Sequence, residues 1–333
     1  MAEPIRVALA GFGAWGRMHA RALAALPDAA LVAVFCHGEA SAAAAKAEIP
    51  HVRRHASYEA MLAAGAFDAV IVAVPNDLHA AFSVAALEAG AHVVLEKPLG
   101  LTLAECDAVI DAARRADRMV VVNHELRVSH QWGAVRGLIA SGELGRVRHQ
   151  HFSLFRRGFR HGSGGWRMQG DRVGSWSLEE LVHFLDLLAW YGQESGEPRV
   201  AAARAQGGPA TADIVTAWLE WPDGATAVVT QCLAGFEHHT LLEIACTEGA
   251  VRTWWTGRED RATQAQYELA VRRGAEPPER IAIPLSGEVY ELQEHLGRAF
   301  AAFRGAPTTI TLAEARRAVA LCLEVDRMAT RDV

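Results

Sequence analysis

The chain has 333 residues, more than one hydrophobic core usually holds, so we expect two domains. Hydrophobic residues make up 51% and charged residues 22%, as in an ordinary globular protein, and a net charge of -6 without a dense run of Lys and Arg argues against non-specific nucleic-acid binding. The longest apolar runs are far shorter than the roughly 20 residues that cross a membrane, and the N-terminus lacks a secretion-signal pattern, so we expect a cytoplasmic protein.

Short β-type runs alternate with alanine-rich helical stretches from residue 5 to about residue 123. The runs are continuous, rich in Val and Ile, and read IRVALA, LVAVF, AVIVAV, HVVLE and MVVVN. Such strands are typical of a parallel sheet that is covered on both faces. The alternation predicts a doubly wound α/β domain over residues 1–123.

The pattern changes after residue 123. We expect a helix over 128–142, a strand over 146–155 and, after a loop rich in Gly, Arg and Trp, a helix over 174–192. Between 199 and 256, apolar runs on either side of Pro-Asp-Gly and Glu-Gly turns predict strand pairs and an antiparallel sheet.

Two closing helices are predicted at 288–304 and 312–328. We therefore expect an α+β domain over 124–310. The last segment, 311–333, is expected to form a C-terminal helix that packs back toward the N-terminal domain.

The first strand leads into the pattern G-x-G-x-x-G, formed by Gly11, Gly13 and Gly16 at the start of a helix. In this setting the glycines permit a tight turn and allow a dinucleotide pyrophosphate to approach the helix N-terminus. We expect the whole turn to contact the cofactor: Gly11, Phe12, Gly13, Ala14, Trp15 and Gly16.

The end of the second strand bears on the choice between NAD and NADP. In NAD-binding domains an acid at this place holds the ribose hydroxyls, but this chain has Cys36 and His37 there. The missing carboxylate makes NADP admissible, yet no arginine stands there to hold a 2′-phosphate. Cys36 and His37 are expected beside the cofactor. The choice between NAD and NADP stays open.

Polar residues also follow the later strands, at the edge where ligands of parallel sheets bind. Asn76 and His79 follow AVIVAV and are expected to touch the nicotinamide ribose, although Asn76 is equally suited to capping a helix. Lys97 follows HVVLE at the same edge. Arg127 follows MVVVN and is expected either to contact substrate or to pair with an acid.

The helix over 174–192 is apolar but contains Glu179 and His183. Residues four apart lie on one face of a helix, so both side chains are expected to point at the same place. The alternative is that both are solvated, or that His183 is a core histidine with a satisfied hydrogen bond.

The loop over 155–168 carries Arg156, Arg160, Trp166 and Arg167. Aromatic rings suit the apolar face of a sugar, and arginines suit carboxylate or phosphate. We assign Trp166 and Arg167 to substrate binding, whereas the commoner alternative is a charged surface loop.

The sequence does not predict a metal site or a disulfide framework. Five cysteines are scattered and form no C-x-x-C pair. His238 and His239 have no third ligand at a recognisable spacing.

Five motifs, GFGAWGRMHA, VPNDLHA, EKPLGLT, VNHELR and a helical H-x-x-D, occur in an order that resembles the glucose-fructose oxidoreductase / inositol dehydrogenase / rhizopine-catabolism (Gfo/Idh/MocA) family. The resemblance implies an N-terminal Rossmann domain and a C-terminal domain with a large open, mainly antiparallel sheet, through which a homodimer or homotetramer forms. It also implies that Lys97 reaches into the active site, with Pro98, which is often cis, shaping its turn. The motif residues Pro75, Glu96, Lys97 and Asn123 are then expected at the cofactor.

One part of the family pattern is altered. The family has an Asp, a Gly two residues on and a His two further on, whereas this chain has Glu179, Leu181 and His183. Asp186 matches the acid that follows in the family. The histidine is kept, the acid is longer by one methylene, and the glycine is lost.

These residues predict hydride transfer between NAD(P) and a secondary hydroxyl or ketone, and the resemblance implies a sugar, cyclitol or related polyol. His183 is expected to move the hydroxyl proton, and Lys97 is expected to stabilise the developing alkoxide. Glu179 is expected to pair with Lys97 or to fix the imidazole. We place Lys97, Arg127, Trp166, Arg167, Glu179 and His183 at the substrate. The alternative is an NAD(P)-binding sensor of the same fold without turnover.

Overall fold

The computed structural model describes residues 3–158, 161–207, 212–257, 265–284 and 287–329. The chain folds into two compact units. Unit 1 consists of three segments, Met1–Glu125, Gly162–Trp166 and Glu288–Val319. Unit 2 consists of Leu126–His161, Arg167–Gly287 and Ala320–Val333.

Unit 1 is built on a six-stranded parallel sheet in the order β3-β2-β1-β4-β5-β6. Its strands are β1 Ile5–Ala10, β2 Ala29–Phe35, β3 Arg53–His55, β4 Ala69–Val72, β5 His92–Glu96 and β6 Val120–Asn123. Strands β4 and β6 are buried at every residue, as expected for a parallel sheet that is covered on both faces. The order reverses direction between β1 and β4, which is the place where such sheets bind ligands.

Helices connect these strands. They are α1 Ala14–Ala24, α2 Glu39–Glu48, α3 Tyr58–Ala64, α4 His79–Glu88 and α5 Leu103–Ala116. Local sequence sets where they begin: Thr102 caps α5 by accepting from the Glu105 backbone N–H, and Glu105 in return accepts from the Thr102 N–H. The predicted doubly wound α/β fold is confirmed.

Two features of unit 1 differ from the prediction. Strand β3 was not predicted, because it is a three-residue edge strand with the polar sequence Arg-Arg-His. Helix α9, Glu288–Phe303, was assigned to the second domain, but it packs against α1 in unit 1. Its buried face includes Leu292 and Phe300, and the apolar stripe of a helix does not reveal which partner covers it.

Unit 2 is built on an eight-stranded sheet in the order β14-β13-β12-β11-β7-β10-β9-β8. Its strands are β7 Val147–Phe155, β8 Arg199–Gln206, β9 Ile214–Glu220, β10 Thr226–Cys232, β11 His238–Cys246, β12 Gly249–Gly257, β13 Gln266–Arg273 and β14 Glu279–Ile281. Every neighbouring pair is antiparallel except β7 with β10, so the sheet is mixed and mainly antiparallel, as predicted.

One face of this sheet is buried under helices. The helices of unit 2 are α6 Trp132–Ala140, the single turn α7 Gly170–Val173, and α8 Val182–Tyr191. Helix α8 packs on β7 and β10, and the Phe184 ring stacks on Phe152 with centroids 4.3 Å apart. The other face leaves Phe155 and Trp218 exposed.

The predicted turns are confirmed, since β9 pairs with β10 and β11 pairs with β12. Strands β13 and β14 extend the sheet past the predicted limit at residue 256. The helix predicted over 128–142 is shorter in the structure: a 3-10 turn, Glu125–Val128, precedes it, and α6 runs only from Trp132 to Ala140.

The last helix, α10 Leu312–Ala329, begins in unit 1 and ends in unit 2. Within unit 1, Arg316 of α10 binds both carboxylate oxygens of Asp107 on α5. Within unit 2, the end of α10 contacts the segment before α8. Nowhere in the described part of the chain is there a helix with the length and apolarity needed to cross a membrane.

Candidate functional site

The glycine-rich turn after β1 has the geometry of a phosphate cradle. Gly11 has φ +98°, and a Cβ there would lie 2.3 Å from the Ala73 carbonyl oxygen. A Cβ on Gly16 would lie 2.0 Å from the Gly11 carbonyl oxygen. The fold therefore requires both glycines.

Gly13 is different, because a Cβ there would meet no atom of the described chain within 4 Å. It is the N-cap residue of α1, it provides no side-chain cap, and the first turn of α1 contains no acid. The space beside Gly13 is thus open at a helix N-terminus, whose positive dipole field suits an anion. A dinucleotide pyrophosphate fits this place.

We expect Gly13→Ala to fold normally but to bind NADH at least about tenfold more weakly, because the added methyl group occupies the place of the pyrophosphate. The φ of -76° at Gly13 is compatible with alanine, so no backbone strain is expected. Fluorescence titration with NADH measures the affinity. Gly297→Ala in α9, where a Cβ also meets nothing, is the matched control. Equal NADH affinity of Gly13→Ala and wild type would contradict this cofactor site.

The end of β2 carries no carboxylate. Cys36 is half-buried, and burial raises the pKa of its thiol, while the positive charge of Arg54 on β3 acts in the opposite direction. His37 is exposed. Arg54 thus places a positive charge within electrostatic reach of this strand end, which is compatible with a phosphorylated ribose.

The ends of β4 and β5 are tied together by His79. One ring nitrogen, Nδ1, lies 2.7 Å from the Pro98 carbonyl oxygen, and Nε2 lies 3.0 Å from the Val74 carbonyl oxygen. The Lys97–Pro98 peptide bond is cis, as predicted. His79 therefore fixes the turn that presents Lys97. Asn76 is buried and begins a 3-10 turn, but the N-cap residue of α4 is Leu78, so the capping alternative is wrong for α4.

Glu96 and Asn123, both predicted to lie at the cofactor, are bonded to each other. The Asn123 side-chain amide donates to Glu96 Oε1 at 2.9 Å, and His19 Nε2 lies 2.5 Å from the same oxygen. Burial alone would raise the pKa of Glu96, but the hydrogen bond from His19 and the charge of Lys97 hold it below its usual value. Sequence reasoning missed His19, although a polar residue on the buried face of α1 was a usable signal.

In unit 2, a π-helical turn, Ser177–Leu181, precedes α8 and contains Glu179. Such turns shift the register of a helix and frequently occur at functional sites. Glu179 is 4% exposed and His183 is 9% exposed, so the solvated alternative is wrong. Arg167 Nε donates to Glu179 Oε1 at 2.6 Å. Glu179 thus pairs with Arg167, a partner that the sequence did not predict, and its pairing with Lys97 or with the imidazole stays a prediction.

The C-terminal helix holds the start of this segment in place. Ser177 Oγ donates to Asp326 Oδ1 at 2.6 Å, and the Cys322 thiol donates to the Ser177 carbonyl oxygen at 3.3 Å. Burial raises the pKa of Asp326. Both contacts lie within unit 2 and fix the turn that precedes His183.

Arg127 pairs with an acid, which is the second of the two predicted alternatives. Its Nε and one terminal nitrogen donate to the two oxygens of Asp186 at 2.8 and 2.7 Å. Both side chains are 2% exposed. The guanidinium also lies over the Trp190 ring, 5.0 Å from its centroid.

The loop over 155–168 uses two of its arginines to bind acids of the π-helical turn. Arg156 donates to Glu180 at 2.9 Å, in addition to the pairing of Arg167 with Glu179. Trp166 is buried. Phe159 and Arg160 lie outside the described residues.

Two family comparisons decide the identity. Residues 5–124 match the family described as oxidoreductase family, NAD-binding Rossmann fold, and residues 132–252 match the GFO/IDH/MocA C-terminal domain. The chain belongs to the Gfo/Idh/MocA oxidoreductase family. The six-stranded sheet is therefore the NAD-binding Rossmann domain of this family.

Several members of the Gfo/Idh/MocA family are similar to this chain. It is 32% identical over 189 residues to the uncharacterized oxidoreductase YdgJ of Escherichia coli strain K12, covering 56% of this chain and 53% of that protein. It is 33% identical over 155 residues to an inositol 2-dehydrogenase of Leifsonia xyli subsp. xyli, covering 46% and 44%. The chain thus spans about half the length of the curated relatives it matches.

The likeness of fold covers the whole chain. The crystal structure of an inositol dehydrogenase homolog complexed with NAD+ from Azotobacter vinelandii superposes with a TM-score of 0.83. The match covers 100% of this chain and 97% of that chain at 22% sequence identity. At this identity the two proteins share a fold.

Proposed function

We propose that the protein is an NAD(P)-dependent oxidoreductase that moves a hydride between nicotinamide and a secondary hydroxyl or ketone of a sugar, cyclitol or related polyol. The observation that supports it best is the placement of Lys97 just after β5, at the ligand-binding edge of the sheet. The chain has only two lysines, Lys46 and Lys97, and uses arginine for all its other basic residues. A lysine at this position is a compact point charge that arginine does not replace.

In the proposed mechanism, His183 transfers the hydroxyl proton and Lys97 stabilises the charge on the substrate oxygen. His183 takes the hydroxyl proton during oxidation and returns it during reduction, because imidazole titrates near neutral pH in its ordinary state. The Lys97 ammonium stabilises the negative charge that develops on the substrate oxygen. When bound, nicotinamide supplies the hydride acceptor or donor.

Glu179 has a supporting part in this proposal. Its carboxylate is bound by the Arg167 guanidinium, and the proposed mechanism does not use it to move the proton. The pair instead fixes the π-helical turn from which α8 and His183 continue. Leu181, which replaces the family glycine, is fully buried in the same turn.

The proposed substrate class is supported by relatives. A relative is named inositol 2-dehydrogenase, and a similar fold is that of an inositol dehydrogenase homolog with NAD+. Trp166, expected to pack against the apolar face of a sugar, is buried and adds no exposed ring to this support.

We expect at least one inositol or monosaccharide to reduce NAD+ or NADP+ in the presence of the protein. The test is absorbance at the nicotinamide band, with a panel of inositols, aldoses and anhydro sugars, run separately with each cofactor. Lys97→Ala, which removes the cation, is the control that ties any activity to this site. Tight NADH binding together with no reaction in either direction across the panel would favour the sensor alternative.

We further propose that the protein acts in the cytoplasm and self-associates through the eight-stranded sheet. Support for the interface comes from the face that leaves Phe155 and Trp218 exposed and from the family resemblance. Light scattering of the purified protein measures the assembly.

A further inference from the structure

Strand β3 brings two arginines to the edge of the six-stranded sheet, beside the end of β2. The strand consists of Arg53, Arg54 and His55, and it pairs with β2 alone. Both arginines are exposed, and neither forms an ion pair with an acid of the described chain. The hydride transfer proposed above does not use them. A guanidinium without an acid partner beside a ligand site is available to an anion of the ligand.

The end of β2 belongs to the cofactor site. The Gly11 N–H donates to the Phe35 carbonyl oxygen at 2.9 Å, which fixes the glycine-rich turn against the last residue of β2. In dinucleotide-binding domains the pyrophosphate lies on this turn and the adenosine ribose lies at this strand end. An acid there binds the 2′-hydroxyl of NAD, whereas an arginine nearby accommodates the 2′-phosphate of NADP. The side chains at this place therefore decide which cofactor is preferred.

The strand register selects Arg54 from the two arginines. Arg54 pairs with Val34, so both side chains lie on one face of the sheet, and Cys36, two residues beyond Val34, continues that face. Arg53 points to the opposite face, because successive side chains of a strand alternate. With strands about 4.8 Å apart and a rise of about 3.3 Å per residue, the Cα atoms of Arg54 and Cys36 lie roughly 8 Å apart, a distance that suits an extended arginine side chain.

The electrostatic effects of the two arginines follow the same division. Burial raises the pKa of the Cys36 thiol against the opposing charge of Arg54. Burial, and then the charge of Arg53, lower the pKa of His55, which lies two residues on from Arg53. Arg54 is thus the arginine that acts on the end of β2. The thiol beside it is neutral at neutral pH and does not repel a phosphate.

The segment after β2 leaves room for a phosphate group. Gly38 is the N-cap residue of α2, and a Cβ there would meet no atom of the described chain within 4 Å. The acid that comes first after β2 is Glu39, which is exposed in the first turn of α2. A Glu39 carboxylate bound to the ribose hydroxyls would favour NAD instead, so a variant of Glu39 distinguishes the two arrangements.

We propose that Arg54 binds the 2′-phosphate of NADP at the end of β2, and that the protein therefore prefers NADP to NAD. This inference deepens the proposed function and rests on it for the assignment of the glycine-rich turn to a dinucleotide. The sequence left the choice of cofactor open, because Arg54 comes to this place through the pairing of β3 with β2 and not through the residues that follow β2 in the chain.

Fluorescence titration of the full chain with NADPH and with NADH gives the ratio of their dissociation constants. We expect NADPH to bind at least about tenfold more tightly, because a charge-assisted pair of guanidinium and phosphate contributes a factor of this size. Arg54→Met removes the charge and keeps an unbranched apolar stem. In this variant the preference should fall about tenfold through loss of NADPH affinity, with NADH affinity unchanged.

Arg53→Met is the matched control, since it removes the same charge from the neighbouring residue, whose side chain lies on the opposite face. We expect it to keep the wild-type preference. Both positions are exposed, so both variants are expected to fold, and Arg54→Gln replaces Arg54→Met if the latter does not.

Displacement of bound NADPH by 2′,5′-ADP and by 5′-AMP isolates the phosphate site from the nicotinamide half of the cofactor, because these two probes differ only in the 2′-phosphate. In wild type, 2′,5′-ADP should displace NADPH at a concentration about tenfold lower than 5′-AMP does. In Arg54→Met the two probes should be nearly equal.

The proposal is overturned if wild type binds NADH as tightly as NADPH, if folded Arg54→Met keeps the preference, or if Arg53→Met loses it equally. A loss of NADH affinity in Glu39→Gln would show that Glu39 holds the ribose hydroxyls, which also overturns it. An NADPH preference that depends on Arg54, in a protein that turns over no polyol, keeps this inference and removes the proposed function. Polyol turnover with equal affinities for NADPH and NADH does the reverse.

Discussion

His183→Ala is expected to lose about a hundredfold to ten-thousandfold in kcat while it binds NADH as tightly as wild type, since general acid–base groups commonly contribute factors of this size. The imidazole moves a proton in the transition state, so its loss affects turnover and not ground-state cofactor binding. Steady-state kinetics with the substrate found in the panel, together with NADH fluorescence, measures both quantities.

Two further variants make this result interpretable. His183 is 9% exposed, so its removal also leaves a small cavity in unit 2. His183→Gln retains most of the volume and should be nearly as inactive, which excludes packing as the cause. His51→Ala, at an exposed position in unit 1, should keep full activity. If His183→Ala turns over at the wild-type rate, His183 has no part in the mechanism.

Much of unit 1 could be predicted from sequence because its signals are local. The strands β1, β2, β4, β5 and β6 are continuous apolar runs, and the glycines of the cofactor turn are fixed by the backbone around them. Strand β3 and the placement of α9 could not be predicted. A three-residue polar strand exists only through pairing with β2, and an amphipathic helix reveals its buried face but not what buries it.

The sequence allowed the site residues to be identified, but it did not predict which of their side chains form ion pairs. Lys97 and His183 were identified from where they stand relative to a strand and a helix. Which acid each arginine binds depends on the tertiary fold: Arg127 and Asp186 are 59 residues apart in sequence, and Arg167 reaches Glu179, 12 residues on, from the loop before the π-helical turn. The π-helical turn likewise has no sequence signature: Glu179 lies in it, whereas His183 lies in the α-helix that follows. That both side chains point at the same place stays a prediction.

These pairings have a common effect on α8. The Arg127 pair holds Asp186, one turn after His183, and the Asp326 contact holds Ser177 before it. The Tyr191 hydroxyl donates to the Trp132 carbonyl oxygen at 2.9 Å, which fixes the end of α8 to the start of α6. Burial raises the pKa of Tyr191 well above its usual value, with the charge of Asp186 adding to the effect. The helix that carries His183 is therefore anchored by buried polar contacts along its length.

Breaking the Arg127–Asp186 pair is expected to destabilise the protein strongly. In Arg127→Met the Asp186 carboxylate stays buried without its bidentate partner, and removing one member of such a pair typically costs about 3 to 5 kcal/mol of unfolding free energy. For a unit of this size that corresponds to a fall of roughly 10 °C in Tm. Thermal unfolding followed by circular dichroism measures it. Arg114→Met breaks an exposed pair with Asp111 and should change Tm by no more than about 2 °C.

The double variant Arg127→Met with Asp186→Leu separates the two reasons for which the pair could be kept. If the cost of the single variant is the stranded charge, the double variant should regain most of the lost Tm, because apolar replacements of a buried ion pair are often neutral or stabilising. Its kcat should nevertheless stay below wild type, because the two directional hydrogen bonds that orient α8 around His183 are gone. A double variant as unstable as Arg127→Met would show that the pair contributes packing that Met and Leu do not restore. A double variant with full kcat would show that His183 is positioned without it.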